Sequence, residues 1–427
     1  MNPQDKRPVF YRLLPAVQGY EWGNSDGLIH RLIEKRTGEK LEPHPIAEMW
    51  KGAHPSAPSR IVGHHFSIKP GQLYAEEMAL NDAIRQDPGH FLGRLHEKGY
   101  TTLPFLFKVL DAAKPLSIQA HPDKQRAEQL HREDPAHYPD DNHKPELAIS
   151  LGHFEAMAGF RPIAELHHEA DRLPPLAAVC GLTRNTPTAA DDISRLPAAE
   201  QLRSIYGRIM QADAATIRRH ATDLLHMLGQ LRASERDNWF VRLVEFYGPE
   251  DPGIFAIYLL NYLKLEAGEA IFLGPNEPHA YLKGQILECM ASSDNVVRGG
   301  LTPKFKDLPT LLSMLTYDDS PGRILLPAPE GPLPYPATYP VPVKDFRVSL
   351  LHRPEQPVAF VPLRPLSIVL LLEGRAVLRA RQGDQERTEQ IAEAEALFIP
   401  GDLESRGVQL FLEPEADSRI YEASTAL

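Results

Sequence analysis

Short apolar runs broken by glycine and proline fill the chain from its start to about Pro162, a pattern that predicts strands joined by tight turns. One interruption, from Asn81 to Lys98, repeats Ala83, Ile84, Phe91, Leu92 and Leu95 near helical spacing and predicts a helix. A second helix is expected after Pro122 and Asp123, which suit a first turn, with Ala127, Leu130 and His131 following. The period changes between about Ala189 and Leu265. Ile217, Ala221, Leu224, Leu225, Leu228 and Leu231 form one stripe of an amphipathic helix, and Leu202, Ile205, Tyr206 and Ile209 form another. His220 and His226 lie in this region and read as packing or surface residues.

The β pattern returns at about Leu265. Tyr335 to Val343 reads as a linker, and Leu366 to Leu372, Ala376 to Ala380 and Ala396 to Pro400 read as strands. Ala394-Glu395-Ala396-Leu397-Phe398-Ile399-Pro400-Gly401 echoes Ala267-Gly268-Glu269-Ala270-Ile271-Phe272-Leu273-Gly274, which suggests two barrels on one plan. The later copy carries only Asp402 and Glu404 after its turn, so it is expected to be structural. Alternation alone supports a mainly β chain with a helical insert.

Chemistry concentrates in three stretches. In Leu116-Ser117-Ile118-Gln119-Ala120-His121, strand alternation sends Leu116, Ile118 and Ala120 one way and Ser117, Gln119 and His121 the other. Asn142-His143-Lys144-Pro145-Glu146 places Lys144 and Glu146 on one face, and a turn leads into His279-Ala280-Tyr281, where His279 and Tyr281 share a face. Gln119, His121, Glu146 and His279 together make a ligand set for a divalent transition metal. Two imidazoles, a carboxylate and an amide oxygen suit zinc, with a position left for water or substrate.

These stretches, with Tyr20-Glu21-Trp22-Gly23, Ala47-Glu48-Met49-Trp50 and the run Glu288-Cys289-Met290 through Asp294-Asn295 to Arg298-Gly299-Gly300-Leu301-Thr302-Pro303-Lys304, closely resemble type I phosphomannose isomerases. One departure is Lys51 after Trp50, where an apolar residue is expected. The resemblance implies double cupin (jelly-roll) barrels with an inserted α-helical domain. Residues 1–162 and 265–330 would form the catalytic barrel, 163–264 the helical insert, and 331–427 the second barrel.

It also implies one zinc ion per chain on Gln119, His121, Glu146 and His279, and interconversion of mannose 6-phosphate and fructose 6-phosphate through a cis-enediol. Zinc would act as a Lewis acid or orient the sugar and a water. Lys144, Asp294 and Glu288 are alternatives for the base. His143 could assist ring opening, although adjacency to Lys144 puts it on the opposite face. Arg298 suits enediolate or phosphate, since its planar fork matches phosphate. Lys124 and Lys304 are further phosphate candidates, and Ser117 and Tyr281 are hydroxyl contacts.

The net charge of −11 argues against a nucleic-acid partner and means that a phosphorylated substrate needs a local cluster of cations. Two cysteines, no signal peptide and no apolar run long enough for a bilayer point to a cytoplasmic protein without a membrane partner. Oligomeric state is not legible. An iron-dependent cupin oxygenase would use three histidines or a facial triad and no phosphate-binding cations. A non-catalytic sugar-binding regulator would have a damaged ligand set, and a fused guanylyltransferase would need a glycine-rich nucleotide loop.

Overall fold

Antiparallel pairing organises the chain, and the register of a few strands decides which side chains meet. The computed structural model describes residues 7–63, 77–182, 193–331, 336–354 and 360–426. Its frame is mainly β. One large sheet runs Ala270–Leu273, Glu146–Phe160, His279–Ala291, Phe105–Ala112, Glu48–Lys51 and Ala16–Gln18. Ile118–Ala120 pairs with both His279–Ala291 and Val297–Gly300 beside it.

Residues directly opposite in an antiparallel pair share a face. Trp50 stands opposite Lys108, Glu288 opposite both Lys108 and Ala148, and Gln119 opposite both His279 and Arg298. The intervening residues Met49, Phe107, Val109, Leu147, Ile149, Leu287 and Cys289 turn the other way, into the main apolar core. That core continues into Tyr11, Leu13, Leu350, Ile368, Phe398 and Tyr421 of a second large sheet. The strand face bearing the charged residues is therefore backed by a dry layer shared between two sheets.

The second sheet joins the two ends of the chain. Tyr11–Leu14 lies between Ala396–Ile399 and Arg60–Gly63, so the first strand is hydrogen-bonded to the C-terminal third. The seam is reinforced by a buried chain in which Tyr11 Oη meets His90 Nε2 at 2.9 Å and His90 Nδ1 meets Asp402 Oδ2 at 2.9 Å. Asp402, which follows the later turn, is thus held by His90. A third sheet of Val361–Pro362, Val408–Pro414, Arg375–Gln382 and Gln385–Ala392 completes the C-terminal part.

The two turns singled out by their sequence echo have matching geometry. Gly268 and Ala394 both have positive φ, at 87° and 67°. The next residue in each, Glu269 or Glu395, accepts the amide three residues back, from Glu266 or Ala392, at 2.8 Å.

Some elements differ from the sequence pattern. The helix expected over Asn81 to Lys98 is three short helices, Leu80–Gln86, Pro88–Leu92 and Arg94–Glu97. Pro88 cannot extend the first one, and Gly93, with φ of 52°, ends the second where it lies against the backbone of Gly401. Leu116 packs on the site-side cluster rather than with Ile118 and Ala120, because the strand begins only at Ile118. The supposed linker contains a strand, Ala337–Thr338, paired with Leu350 and Ser349, while Tyr335 lies outside the described residues.

Helices Ala198–Met210 and Ala214–Leu228 bear out the amphipathic stripes except at Leu231, which lies beyond the helix end and is exposed. They lie, with Ile163–Arg172, Pro174–Cys180 and Glu235–Tyr247, between strands Glu146–Phe160 and Leu260–Leu265, which pair with each other. Lys124–Glu133 forms as expected, and Asp123 caps it by accepting the Arg126 amide at 2.8 Å. Among the described residues no helix is long and apolar enough to cross a membrane.

Candidate metal centre

His121, Glu146 and His279 are brought together from three parts of the chain, and their potential ligand atoms all lie within 4.8 Å of one another. All three are buried. His121 Nε2 lies 3.3 Å from Glu146 Oε1, and His279 Nε2 lies 3.5 Å from Glu146 Oε2. The other nitrogens are spoken for: His121 Nδ1 meets the Asn295 carbonyl at 2.8 Å and His279 Nδ1 meets the Glu277 carbonyl at 3.0 Å. A carbonyl only accepts, so Nδ1 carries the proton in each ring, and a neutral ring then turns its Nε2 lone pair toward the carboxylate.

Burial, with the Lys144 charge second, pushes the His121 imidazole down to about 4, so it is neutral near pH 7. Lone pairs facing a carboxylate repel unless a cation sits between them. Both Nε2 atoms are buried without a hydrogen-bond partner among the described residues, which fits a divalent metal. Burial works against the Glu146 charge, but Lys144, 3.1 Å away, outweighs it and holds this carboxyl well below its ordinary range. Gln119 is half-buried directly opposite His279, on the face that presents the cluster.

A buried polar wall continues from the cluster. Tyr281 donates to Glu288 Oε1 at 2.6 Å and approaches Glu146 Oε2 at 3.4 Å. Lys108 reaches Glu288 at 2.6 Å and Glu48 at 3.6 Å, and the indole N–H of Trp50 donates to Glu48. Burial raises the Glu288 carboxyl above its ordinary value, with Lys108 opposing. Burial also lowers Lys108, yet Glu288 and Glu48 win and leave it raised.

Residues 10–163 match the phosphomannose isomerase type I catalytic domain. The chain is 36% identical over 423 residues to mannose-6-phosphate isomerase 1 of Arabidopsis thaliana, covering 96% of this chain and 93% of that protein. It belongs to the type I phosphomannose isomerase family. The human mannose-6-phosphate isomerase is also 36% identical, over 387 residues, 87% of this chain and 89% of that one. A substituted form of phosphomannose isomerase from Salmonella typhimurium superimposes with a TM-score of 0.80 at 30% identity, covering 98% of this chain and 100% of that chain. A mannose 6-phosphate isomerase bound with zinc and yttrium does so with a TM-score of 0.79 at 31% identity, with the same coverage.

The remaining residues singled out from the family resemblance spread around this centre. Lys144 and Glu288 are buried within the wall. Arg298 is half-buried opposite Gln119, its charge disfavoured by burial, with no ion pair among the described residues. Asp294 is at the surface, where it accepts from Ser56 Oγ at 3.2 Å and lies 3.5 Å from His54 Nε2. Ser117 is half-buried, and Lys304 is exposed on the loop after Val297–Gly300.

Two residues are engaged elsewhere. His143 points to Asp345, with Nε2 3.1 Å from the carboxylate. Lys124 donates to the Asp141 carbonyl at 2.8 Å and lies 3.1 Å from its carboxylate. Sequence reasoning missed Lys108, Glu48 and His54. Lys108 stands out as a lone charge inside Phe105-Leu106-Phe107-Lys108-Val109-Leu110, an apolar run that forms a strand buried along its whole length.

Proposed function

We propose that this chain is a zinc-dependent aldose–ketose isomerase that interconverts mannose 6-phosphate and fructose 6-phosphate through a cis-enediol. The observation that carries the reading is the pair of orphaned Nε2 atoms aimed at one buried carboxylate in a member of this family. The fold reading is two jelly-roll barrels with a helical domain inserted in the first, bounded at 163–264, with 331–427 as the second barrel. Its support is the matched turn geometry at Gly268 and Ala394 and the helices enclosed by two paired strands.

One zinc per chain would be held by His121, Glu146 and His279, with Gln119 as fourth protein ligand, and when bound supplies Lewis acidity toward the sugar oxygens. The chain's own residues do the rest. Arg298, half-buried and without an ion pair among the described residues, meets an anionic oxygen, either of the phosphate or of the enediolate. Lys304 offers a solvent-side charge to the phosphate; Lys124 can do so only by exchanging its Asp141 contact.

Tyr281 and Ser117 contact sugar hydroxyls. The proton moves between C1 and C2 by way of Lys144, Glu288 or Asp294. Glu288 has the raised carboxyl that suits give-and-take of a proton, and Lys144 is the nearest amine to Glu146. His143 could assist ring opening only by exchanging its Asp345 contact. Unpaired buried thiols at Cys180 and Cys289 agree with a reducing, cytoplasmic setting.

The test is a coupled isomerase assay with mannose 6-phosphate before chelation, after it, and after zinc is restored, with circular dichroism on each sample. We expect activity to vanish and return while the fold persists. Full activity in rigorously metal-free protein sinks the zinc, and no turnover by zinc-loaded protein sinks the substrate.

A further inference from the structure

The loop 292–295 supplies the Asn295 carbonyl that orients His121, yet it belongs to no helix or strand of its own. It is held from across the site by Asp140, six residues before the metal-face Glu146. Asp140 Oδ1 accepts from Ser293 Oγ at 2.7 Å and Asn295 Nδ2 at 3.1 Å, and Oδ2 accepts the Asp294 amide at 2.8 Å. Its backbone carbonyl accepts Asn295 Nδ2 at 2.7 Å, and Oδ1 also takes the Asn142 amide at 3.0 Å. Asn142 returns the contact by donating Nδ2 to the Ser292 carbonyl at 3.2 Å.

One carboxylate therefore stitches the approach to Lys144 and Glu146 onto the loop that carries Asp294 and Asn295. Asn295 is fully buried, and its amide is held by Asp140 together with the Asn142 carbonyl, to which Nδ2 donates at 2.9 Å. We infer that Asp140 is a positioning residue for this site: through Asn295 it fixes the ring of His121, and through the Asp294 amide it sets where that carboxylate stands at the surface. Groups that orient a metal-bound imidazole from behind change metal affinity by 10- to 100-fold when removed. The chemistry explains why an acid is needed here. Four donors converge on its two oxygens, and only an ionised carboxylate accepts at both.

The inference rests on the metal reading for its consequence in binding, but not for the orientation of the ring. The test uses full-length Asp140→Asn and Asp140→Ala, with two readouts. In metal-free protein labelled at histidine, the hydrogen-bonded Nδ1 proton of His121 should exchange slowly in the parent chain and at least tenfold faster in Asp140→Ala. In zinc-loaded protein, transfer of zinc to a colorimetric chelator should speed up about 10- to 100-fold in Asp140→Ala. Asp140→Asn keeps the shape but offers an N–H to the Asp294 amide, so it should fall between, and it reads the effect if the alanine variant does not fold.

Ring-proton exchange and zinc retention unchanged in the folded variants, even with a lowered melting temperature, would overturn the inference, since that is what simple loop stabilisation predicts. If the parent chain takes up no zinc, the metal reading fails alone and the ring proton still decides the role of Asp140.

Discussion

Lys51 stands directly opposite Phe107 where strand Glu48–Lys51 pairs with Phe105–Ala112, and so turns its amine into the apolar layer between the two large sheets. The side chain has no exposure, and its Nζ has no hydrogen-bond partner among the described residues. Its neighbours Glu48 and Trp50 face the site, but Lys51 lies on the wrong side of the strand to join them. Burial, with the Arg36 charge adding to it, pushes the amine down to about 7.

A lysine lowered in the folded state binds its proton more readily in the unfolded chain. Stability at this position therefore rises with pH from about 7 toward the ordinary lysine value, and the full cost is present below about 7. That cost is on the order of 5 kcal/mol. Lys51→Met keeps length and apolar volume, so it should raise the melting temperature most at pH 6.5, and the gain should shrink by pH 10. A gain that does not depend on pH would mean that the amine is not carrying the proton difference.

Lys108 is the opposite case, a buried cation between two carboxylates at 2.6 and 3.6 Å. Lys108→Met leaves Glu288 and Glu48 facing each other in a poorly solvated wall, and breaking such a pair costs about 3–5 kcal/mol. Adding Glu288→Gln to the same chain should recover part of that loss, because it removes one stranded charge. A double-mutant cycle in urea measures the coupling, and additive losses would show that the three groups do not act together.

Exposed Lys304 separates binding from chemistry. Lys304→Ala should raise KM for mannose 6-phosphate severalfold while kcat holds, since a remote charge helps ground state and transition state alike. The effect should weaken as salt is added, because an exposed charge is screened. A large fall in kcat at constant KM would put Lys304 in the reaction itself.

The residues of the centre were legible because strand alternation is local. Gln119 with His121, His279 with Tyr281, and likewise Lys144 with Glu146, follow from period two alone. What the sequence could not carry was register. That Glu288 meets Lys108, 180 positions away, depends on which strands pair and how far they slide, and a slip of one residue would turn Lys108 into the core. The same limit hid the place of Tyr11–Leu14 beside Ala396–Ile399, since nothing local in either strand names its partner. The broken helix near Pro88 is different. Pro88 and Gly93 are local signals that break the apolar spacing into short helices.

Lys144→Met gives the sharpest test of the base. The amine lies 3.1 Å from Glu146 and is buried with it, so methionine fills the space and removes only the nitrogen. If Lys144 transfers the proton, kcat should fall about 100-fold or more, the range general bases supply. Exchange of the C2 proton with solvent should slow in parallel, because both report the same abstraction. If Lys144 only neutralises substrate charge, KM should rise while kcat and exchange persist, and Glu288 or Asp294 becomes the better base. Zinc content must be measured on the same sample, since Glu146 loses its nearest positive neighbour. A variant that retains its zinc, turns over at the parent rate and exchanges the C2 proton as fast as before would remove Lys144 from the chemistry and leave it a structural partner of Glu146.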